Sequence, residues 1–496
     1  EAIAEIPDGA TVAVSGFVGA GHPEAITSAL EQQFLLQGKP SGLTLVYAAG
    51  QGDKGSRGLN HLGHAGLIRK VIGGHWNLAP KLGQLALEGR IEAYNLPQGV
   101  LCVLFREIAA GRPGIITKVG LNTFIDPDNG GGSLNSLSCK PPVERLKLHG
   151  ETYLFYRSFP INVALIRATR ADRKGNLSME REALVGECLP LAQAAKNHGG
   201  IVIAQVEEVV DSIEDPKSVR IPGILVDYIV PANKEQHLQT FAEAFNPDYV
   251  RRSGRAPSFA PLPFSERRVV GRRALLEVAP GMIVNLGIGF PEAVAAAAAE
   301  ENRLDEFTLT VESGPIGGIP ASGLSFGCST HPEAVVDQPS QFDFYDGGGL
   351  DLAILGAAEV DGKGNVCVSQ MGGRFAGVGG FVNIATNAKK LIFCCAFRPG
   401  GLRVSWQDNQ LCIDQEGTHN KFVSQVSQIC FHGPGAAAED REVLYVTERA
   451  VFQLEKSGLR LLEVAPGIDP DREILAHLPF PILPSQPKTM PAFCFQ

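Results

Sequence analysis

The chain repeats itself, and no other property narrows its fold as much. The stretch "DGATVAVSGFVGAGHPEAI" (Asp8 to Ile26) returns as "APGMIVNLGIGFPEAVAAA" (Ala279 to Ala297). Each copy reads as an apolar strand, a G-x-G-x-P-E turn and a helix. Pro23 and Pro291 are expected in the first helical turn, where a missing N–H costs nothing, and Glu24 and Glu292 favour a helix N-terminus. A second correspondence sets "LTLVYAAGQG" (Leu43 to Gly52) against "FTLTVESGPIGG" (Phe307 to Gly318). A third sets "VALIRATRADRKGNLSM" (Val163 to Met179) against "LAILGAAEVDGKGNVCV" (Leu352 to Val368). Both members of the third pair hold a D-x-K-G-N turn, Asp172 to Asn176 and Asp361 to Asn365, expected between two strands.

Three matches in one order imply two homologous domains. Each alternates apolar strands with helical stretches such as Glu24–Leu36 and Glu292–Glu301, so the fold class is α/β, two open and mainly parallel domains in tandem. A chain of 496 residues is in any case too long for one core. The expected boundaries are 1–252 for the first domain and 269–496 for the second. Between them, 253–268 reads as a linker, because Gly254, Pro257, Pro261 and Pro263 interrupt any regular pattern. Ligands of such sheets sit beyond the carboxyl ends of the strands.

A net charge of −9 argues against a general nucleic-acid binder, whose footprint is a basic excess. No apolar run approaches the 18 or so residues of a membrane span. The ten cysteines contain no C-x-x-C pair, and adjacent Cys394 and Cys395 would face opposite sides of a strand, so buried free thiols in a reducing compartment are expected, with the cytoplasm as default. Glycine occurs 57 times, where an average usage of about 7% would give about 35. The glycines cluster, which points to tight loops approaching a ligand.

The second copy differs from the first at one telling position. With Thr44 aligned to Thr308, Ala48 stands opposite Glu312, so an acid ends the strand in one domain only. Glu312 is followed by Gly314, Gly317 and Gly318, expected to open space around it. The residues alone leave a structural carboxylate, such as a helix cap, as the competing reading. Asp346, Asp351, Glu359 and Asp361 also lie near glycines, but no histidine spacing beside them supports a metal, and "HLGH" (His61 to His64) is a lone H-x-x-H. In "GGRFAGVGGFVNIAT", Gly377, Gly379 and Gly380 precede an apolar run and suit a loop whose amides face an anion. "GGHWNLAP" (Gly73 to Pro80) and "AYNLPQGVL" (Ala93 to Leu101) are candidate pocket walls, with Trp76 equally suited to a core. The phosphate-binding, serine-hydrolase and dinucleotide fingerprints are missing.

A lone carboxylate on a glycine turn suits a nucleophile better than a general base, which usually keeps a second titrating group in view. Acyl capture by such a group gives an anhydride, and a thiolate then converts it to a glutamyl thioester. On these residues that chemistry is one candidate among several.

Over nearly its full length the sequence resembles the class I CoA-transferases that carry both family domains on one polypeptide. The motifs run from "VAVSGFVGAGHPEAI" through "ILVDYIV", "TVESGPIGGIP", "SQFDFYDGGGLDLAILGAAEVDGKGNV" and "GVGGFVNIA" to "VLYVTERAVFQL". The resemblance implies the CoA-transferase (NagB-like) fold and an acetate, propionate or 3-oxoacid CoA-transferase working by ping-pong exchange. It implies Glu312 as the residue that forms the thioester, Gly379 and Gly380 as oxyanion donors, and Gly287, Ile288, Gly289 and Gly377 at the CoA site. It also implies CoA as substrate with no permanently bound cofactor, and a homo-oligomer, with a tetramer favoured. The family's "SENG" reads "VESG" here, with Ser313 in place of asparagine, and its early "GGF" reads "SGF" (Ser15 to Phe17). An acyl-CoA hydrolase on the same scaffold and a non-catalytic ligand sensor are the alternatives.

Overall fold

The structure, a computed structural model, describes residues 1–252 and 261–496. Among them, 1–252, Val311–Asp343 and Gly372–Asn383 form one compact unit, and 261–310, Phe344–Met371 and Ile384–Gln496 form a second. Of the expected linker, 253–260 lies outside the described residues. Its last residues open a helix, Glu266–Leu275, capped by the Ser265 hydroxyl on the Arg268 amide.

The first unit is built on a sheet of strands β1 (Thr11–Val14), β2 (Leu43–Tyr47), β3 (Ile68–Gly73), β4 (Glu92–Asn95), β5 (Val163–Arg167), β6 (Ile201–Val206) and β7 (Tyr228–Pro231). The order is β7-β6-β5-β1-β2-β3-β4, and every pairing is parallel. Strands β2 and β5 are buried along their whole length, which is why they read as continuous apolar runs. Helix α1 (Glu24–Gln37) starts after Pro23, which takes the N-cap position, and stops where Gly38 adopts φ +68°. Its buried Ile26 and Leu30 stand one turn apart on the face that meets Val12, Leu43 and Leu45. Burying each such side chain is worth about 1.5–3 kcal/mol.

In the second unit the strands are β8 (Ile283–Leu286), β9 (Thr308–Thr310), β10 (Leu352–Gly356), β11 (Lys390–Cys394), β12 (Glu442–Val446), β13 (Ala450–Glu455) and β14 (Gly458–Val464). The order β9-β8-β10-β11-β12 is parallel, after which β13 and β14 continue antiparallel. The register reproduces the sequence repeat. Thr11 pairs with Thr44 in the first unit, and Ile283 with Thr308 in the second.

The two D-x-K-G-N turns match atom for atom. Asp172 Oδ1 accepts the amides of Lys174 (2.8 Å) and Asn176 (3.0 Å), and its Oδ2 accepts from Asn176 Nδ2 (2.8 Å). Asp361 does the same with Lys363 (3.0 Å), Asn365 (3.1 Å) and Asn365 Nδ2 (3.0 Å). Each asparagine oxygen then accepts a glycine amide, from Gly223 at 2.9 Å and from Gly433 at 3.0 Å. These are local side-chain-to-backbone bonds of the kind that make Asp and Asn turn residues. The large, mainly parallel sheets agree with the expected α/β class.

Candidate active site

The base of the Glu312 hairpin is fixed within the second unit. Tyr345 donates its hydroxyl proton to Thr310 Oγ1 (2.8 Å), and Asn285 Nδ2 donates to the Thr310 carbonyl (3.2 Å). The chain then enters the first unit at Val311, where Glu312 and Ser313 form the two central positions of a β-turn. The Gly314 amide closes it onto the Val311 carbonyl (3.0 Å), and the Val311 amide donates to Pro315 (3.0 Å). Glu312 is 8% exposed. Ser313 donates its hydroxyl to the Gly327 carbonyl, which gives a structural account of the residue that departs from the family's asparagine.

The surrounding glycines do a different job from the one expected. A Cβ on Gly314 would lie 2.1 Å from the Val336 carbonyl, one on Gly318 2.2 Å from the Thr330 carbonyl, and one on Gly317 2.6 Å from the Glu333 side chain. All three have positive φ, at +128°, +69° and +73°. They let the returning strand pack directly against the turn, so they hold the acid in place rather than clear space around it.

That hairpin packs on the carboxyl ends of the first unit's strands. Phe17, in the loop after β1, packs against Phe326 with the rings tilted at 45° and their centroids 5.6 Å apart, and both belong to a cluster with Val18, Ala49, Leu184 and Cys328. The same loop continues to the next strand end, because the Val18 amide donates to Gly50 (2.8 Å). Gly50 lies against the imidazole of His75.

The glycine loop docks at the ends of β2, β3 and β4. His75 pairs with Gly377, and the Trp76 amide donates to the Ala376 carbonyl (2.8 Å). Asn95 clamps the loop, accepting the Val378 amide (3.1 Å) while donating to the carbonyls of Gly73 (2.9 Å) and Gly74 (2.7 Å). A Cβ on Gly377 would come within 2.8 Å of the His75 backbone, so only glycine allows this approach. The Gly379 amide donates to the Gly74 carbonyl at 2.8 Å, which occupies one of the two amides expected to face an oxyanion. Gly380 stands immediately before the helix Phe381–Asn387, whose first amides have no intrahelical acceptors.

Beside this loop three buried side-chain nitrogens lack a hydrogen-bond partner among the described residues: His75 Nδ1, Trp76 Nε1 and Gln98 Nε2. Buried polar atoms are rarely left so, and each calls for a partner that is not a protein group, a water or a ligand. Burial, with Lys54 adding to it, pushes the His75 imidazole down to about 4, so it is neutral near pH 7. Trp76 is fully buried in the hydrophobic core of the sheet. Gln98 opens the helix Gln98–Ala109, its amide donates to the Gly379 carbonyl (2.9 Å), and its side-chain oxygen borders Gly379. Sequence reasoning named its segment but not the residue. The available signal was a polar residue just after a proline at a strand end, where a helix N-terminus faces the site.

Of the CoA-site candidates, Gly377 sits in this loop. Gly287, Ile288 and Gly289 follow β8 in the second unit, where the Gly287 amide donates to Ile354 (2.8 Å) and Ile288 is 59% exposed. The other acids near glycines are committed elsewhere. Asp351 accepts the Ile283 amide (2.9 Å) and pairs with Lys389 (2.8 Å), Glu359 accepts the Ser427 amide (2.6 Å), and Asp346 accepts from Asn387 (3.1 Å). His61 and His64 both bond Glu31, and His61 also bonds Glu24 (2.9 Å). Among the described residues no group of three or more ligating side chains could hold a metal, and no helix is long and apolar enough to cross a membrane.

The chain as a whole has known relatives. Residues 1–232 match the family model described as "Coenzyme A transferase". The chain is 43% identical to the caffeate CoA-transferase of Acetobacterium woodii, over 97% of this chain and 93% of that one. It is 40% identical to the acetate CoA-transferase YdiF of Escherichia coli K12, over 99% and 93%. A crystal structure of the acyl-CoA transferase YdiF from E. coli O157:H7, a thioester complex with CoA, superposes with a TM-score of 0.93 at 38% identity and covers 100% of this chain and 94% of that one. The chain belongs to the class I coenzyme A transferases, in the branch that carries both halves on a single polypeptide.

Proposed function

We propose that this enzyme moves CoA from a short-chain acyl-CoA to a carboxylate acceptor such as acetate, propionate or a 3-oxoacid, through a thioester on Glu312. The observation that carries the reading is the Glu312 turn, an acid present in one copy of the repeat and stitched by three glycines to its own return strand. A turn held this way fixes the backbone from which the Glu312 side chain projects, and positioning of the reacting group is a large part of an intramolecular advantage.

The Glu312 carboxylate attacks the thioester carbonyl, and expulsion of the CoA thiolate leaves a mixed anhydride. The thiolate then attacks the glutamyl carbonyl, the C–O bond breaks, and the first acid leaves as carboxylate. A second carboxylate attacks the glutamyl-CoA thioester, and the steps run in reverse. No net proton transfer is needed, which fits a site whose imidazole, His75, is held neutral.

Each tetrahedral intermediate places charge on one oxygen, and donors aimed there contribute most to the rate. Gln98 Nε2 and the Gly380 amide fill that role, and Gly379, at φ +52°, supplies the left-handed turn that presents Gly380. Gly377 shapes the loop, and Gly287, Ile288 and Gly289 bind CoA, with exposed Ile288 offering apolar contact to its pantetheine arm. Homo-oligomeric assembly, a tetramer above all, belongs to the same proposal, which rests here on family likeness.

The test is borohydride trapping with acetyl-CoA followed by mass spectrometry. Reduction is expected at Glu312, and a reduced residue elsewhere would overturn the assignment. Glu312→Ala is expected to fold normally and lose all exchange. Adding propionate separates the hydrolase alternative, because only a transferase makes propionyl-CoA.

A further inference from the structure

The second unit holds two thiols for which CoA exchange has no use. Cys367 ends the short strand Val366–Cys367, and Cys430 lies on the segment that pairs with it. Val366 and Phe431 exchange both backbone bonds, at 3.1 Å each, which brings Cys367 and Cys430 together as the next residues of an antiparallel pair. Opposed residues of such a pair have Cα atoms about 4.5–5.5 Å apart, inside the range of about 4.4–6.8 Å that a disulfide spans. The Cys430 amide also donates to the Val366 carbonyl (2.8 Å), a bulge of the kind that re-aims a side chain. The Cys430 sulfur lies against the Cys367 strand. It accepts the Val368 amide at 3.4 Å, the nitrogen of the peptide bond that leaves Cys367, and donates to Ser369 Oγ at 3.2 Å. The same hydroxyl is 3.8 Å from Cys367 Sγ, and the two thiols hydrogen-bond each other.

The two sulfurs are unequal. The hydrogen bond from Cys430, helped by Ser427 at 3.4 Å and by Ser369, outweighs burial and holds the Cys367 thiol below its usual range. Burial, with Cys367 adding to it, pushes Cys430 above that range. One sulfur therefore gives up its proton readily and the other keeps it, which is the division between an attacking and a resolving thiol. Cys394 and Cys395, adjacent in sequence, show the contrast, because burial pushes both up, Cys395 to about 12. Cys367 and Cys430 are 0% and 1% exposed. Ser427, whose hydroxyl covers Cys367 Sγ, is itself exposed and stands in a stretch, 423–430, with neither helix nor strand. Such a segment opens at little cost, and its local opening admits a molecule little larger than water.

We propose that Cys367 and Cys430 form an oxidisable pair that a hydroperoxide closes to a disulfide. The Cys367 thiolate attacks one peroxide oxygen, the O–O bond breaks, and hydroxide leaves a sulfenic acid on Cys367. The Cys430 sulfur then attacks the Cys367 sulfur, the S–O bond breaks, and the departing hydroxide takes the Cys430 proton as water. Two electrons pass from the thiol pair to the peroxide, which is the oxidant consumed. The pair is independent of the Glu312 chemistry and stands whether or not that residue carries the acyl group.

The experiment treats the folded chain with hydrogen peroxide, alkylates the remaining thiols and maps linked peptides by mass spectrometry. Exposed Cys139 marks the dose, since its oxidation shows that peroxide was sufficient. A peptide linked through Cys367 and Cys430 is expected, and dithiothreitol should return both to the alkylated form. Recovery of both as alkylated thiols at a dose that oxidises Cys139, or a disulfide that joins either to another cysteine, overturns the proposal. Cys430→Ser keeps a hydroxyl donor beside Cys367 but removes the resolving sulfur, so the sulfenic acid should persist and be captured there by dimedone. Cys367→Ser should leave Cys430 without an adduct. If dimedone marks Cys430 in that variant and spares Cys367 in the other, the attacking sulfur has been misassigned. If neither variant is marked and no disulfide forms in the unaltered chain, the two thiols serve only as hydrogen-bonding groups of the fold.

Discussion

Replacing Gly314 by alanine tests how the Glu312 turn is held. At φ +128° an alanine sits in backbone territory that costs an L-residue about 1–3 kcal/mol. The new methyl would also meet the Val336 carbonyl at 2.1 Å, so the return strand has to move away. Two bonds go with it, Val336 N–H to the Gly314 carbonyl (3.0 Å) and Glu333 N–H to the Ile316 carbonyl (2.8 Å), at about 1 kcal/mol each. Together the hairpin should lose about 3–5 kcal/mol. Gly281→Ala is the control. Its φ of +81° is equally left-handed but nothing lies within 4 Å of an added Cβ, so it should cost only about 1–2 kcal/mol. Amide hydrogen exchange at Val311, Gly314, Glu333 and Val336 reads the local loss directly, and CoA exchange should fall with it. If Gly314→Ala protects these amides as well as the unaltered chain does, or loses no more than the control, close backbone packing is not what orients Glu312.

Two further outcomes follow from the same geometry. Gln98→Leu removes the unpaired Nε2 beside Gly379 and should lower kcat by about 10²–10³ with little change in thermal stability, the effect of losing one oxyanion donor. A fall in stability with kcat kept would make Gln98 structural. The chain of bonds from His64 through Glu31 and His61 to Glu24 should give stability a pH window. Burial alone would lower His61, but hydrogen bonds with Glu24 and Glu31 outweigh it and raise the imidazole above 6.5, so its contribution is complete below that pH and fades as pH rises through the folded-state value. Despite burial, His61 with His22 and the Gly58 amide holds Glu24 below 4.5, and His61 with His64 does so for Glu31, so theirs is present above that pH and lost on acidification. His61→Gln should therefore flatten the alkaline fall in urea resistance between pH 6.5 and 9, and an unchanged profile would show the network to be inert.

The parts of the molecule that could be read beforehand are those fixed by local rules. Strand runs, the helices after Pro23 and Pro291, and the paired Asp172 and Asp361 turns depend on neighbours within a few residues, and the repeat supplied each twice. Glu312 stood out because the other copy had alanine. What stayed hidden depends on contacts distant in sequence. That Gly379 donates to Gly74, that Asn95 clamps Val378, and that Gln98 is left with an unpaired amide arise from pairings nearly 300 positions apart. No local pattern distinguishes a glycine that clears room from one pressed against a neighbouring strand, so the packing role of Gly314, Gly317 and Gly318 is visible only in three dimensions.

The counterpart of Glu312 in the other copy shows why an acid stands at one of the two strand ends only. Ala48 is fully enclosed, and its carbonyl comes so near Gly74 that a Cβ there would approach to 2.0 Å. Glutamate grafted at 48 would find neither water nor room to turn, and it would either stay protonated or force the sheet end apart. Symmetry of chassis thus coexists with asymmetry of setting: one strand end is sealed within the sheet, while the other runs on into a hairpin whose glycines seat the turn against its own return strand.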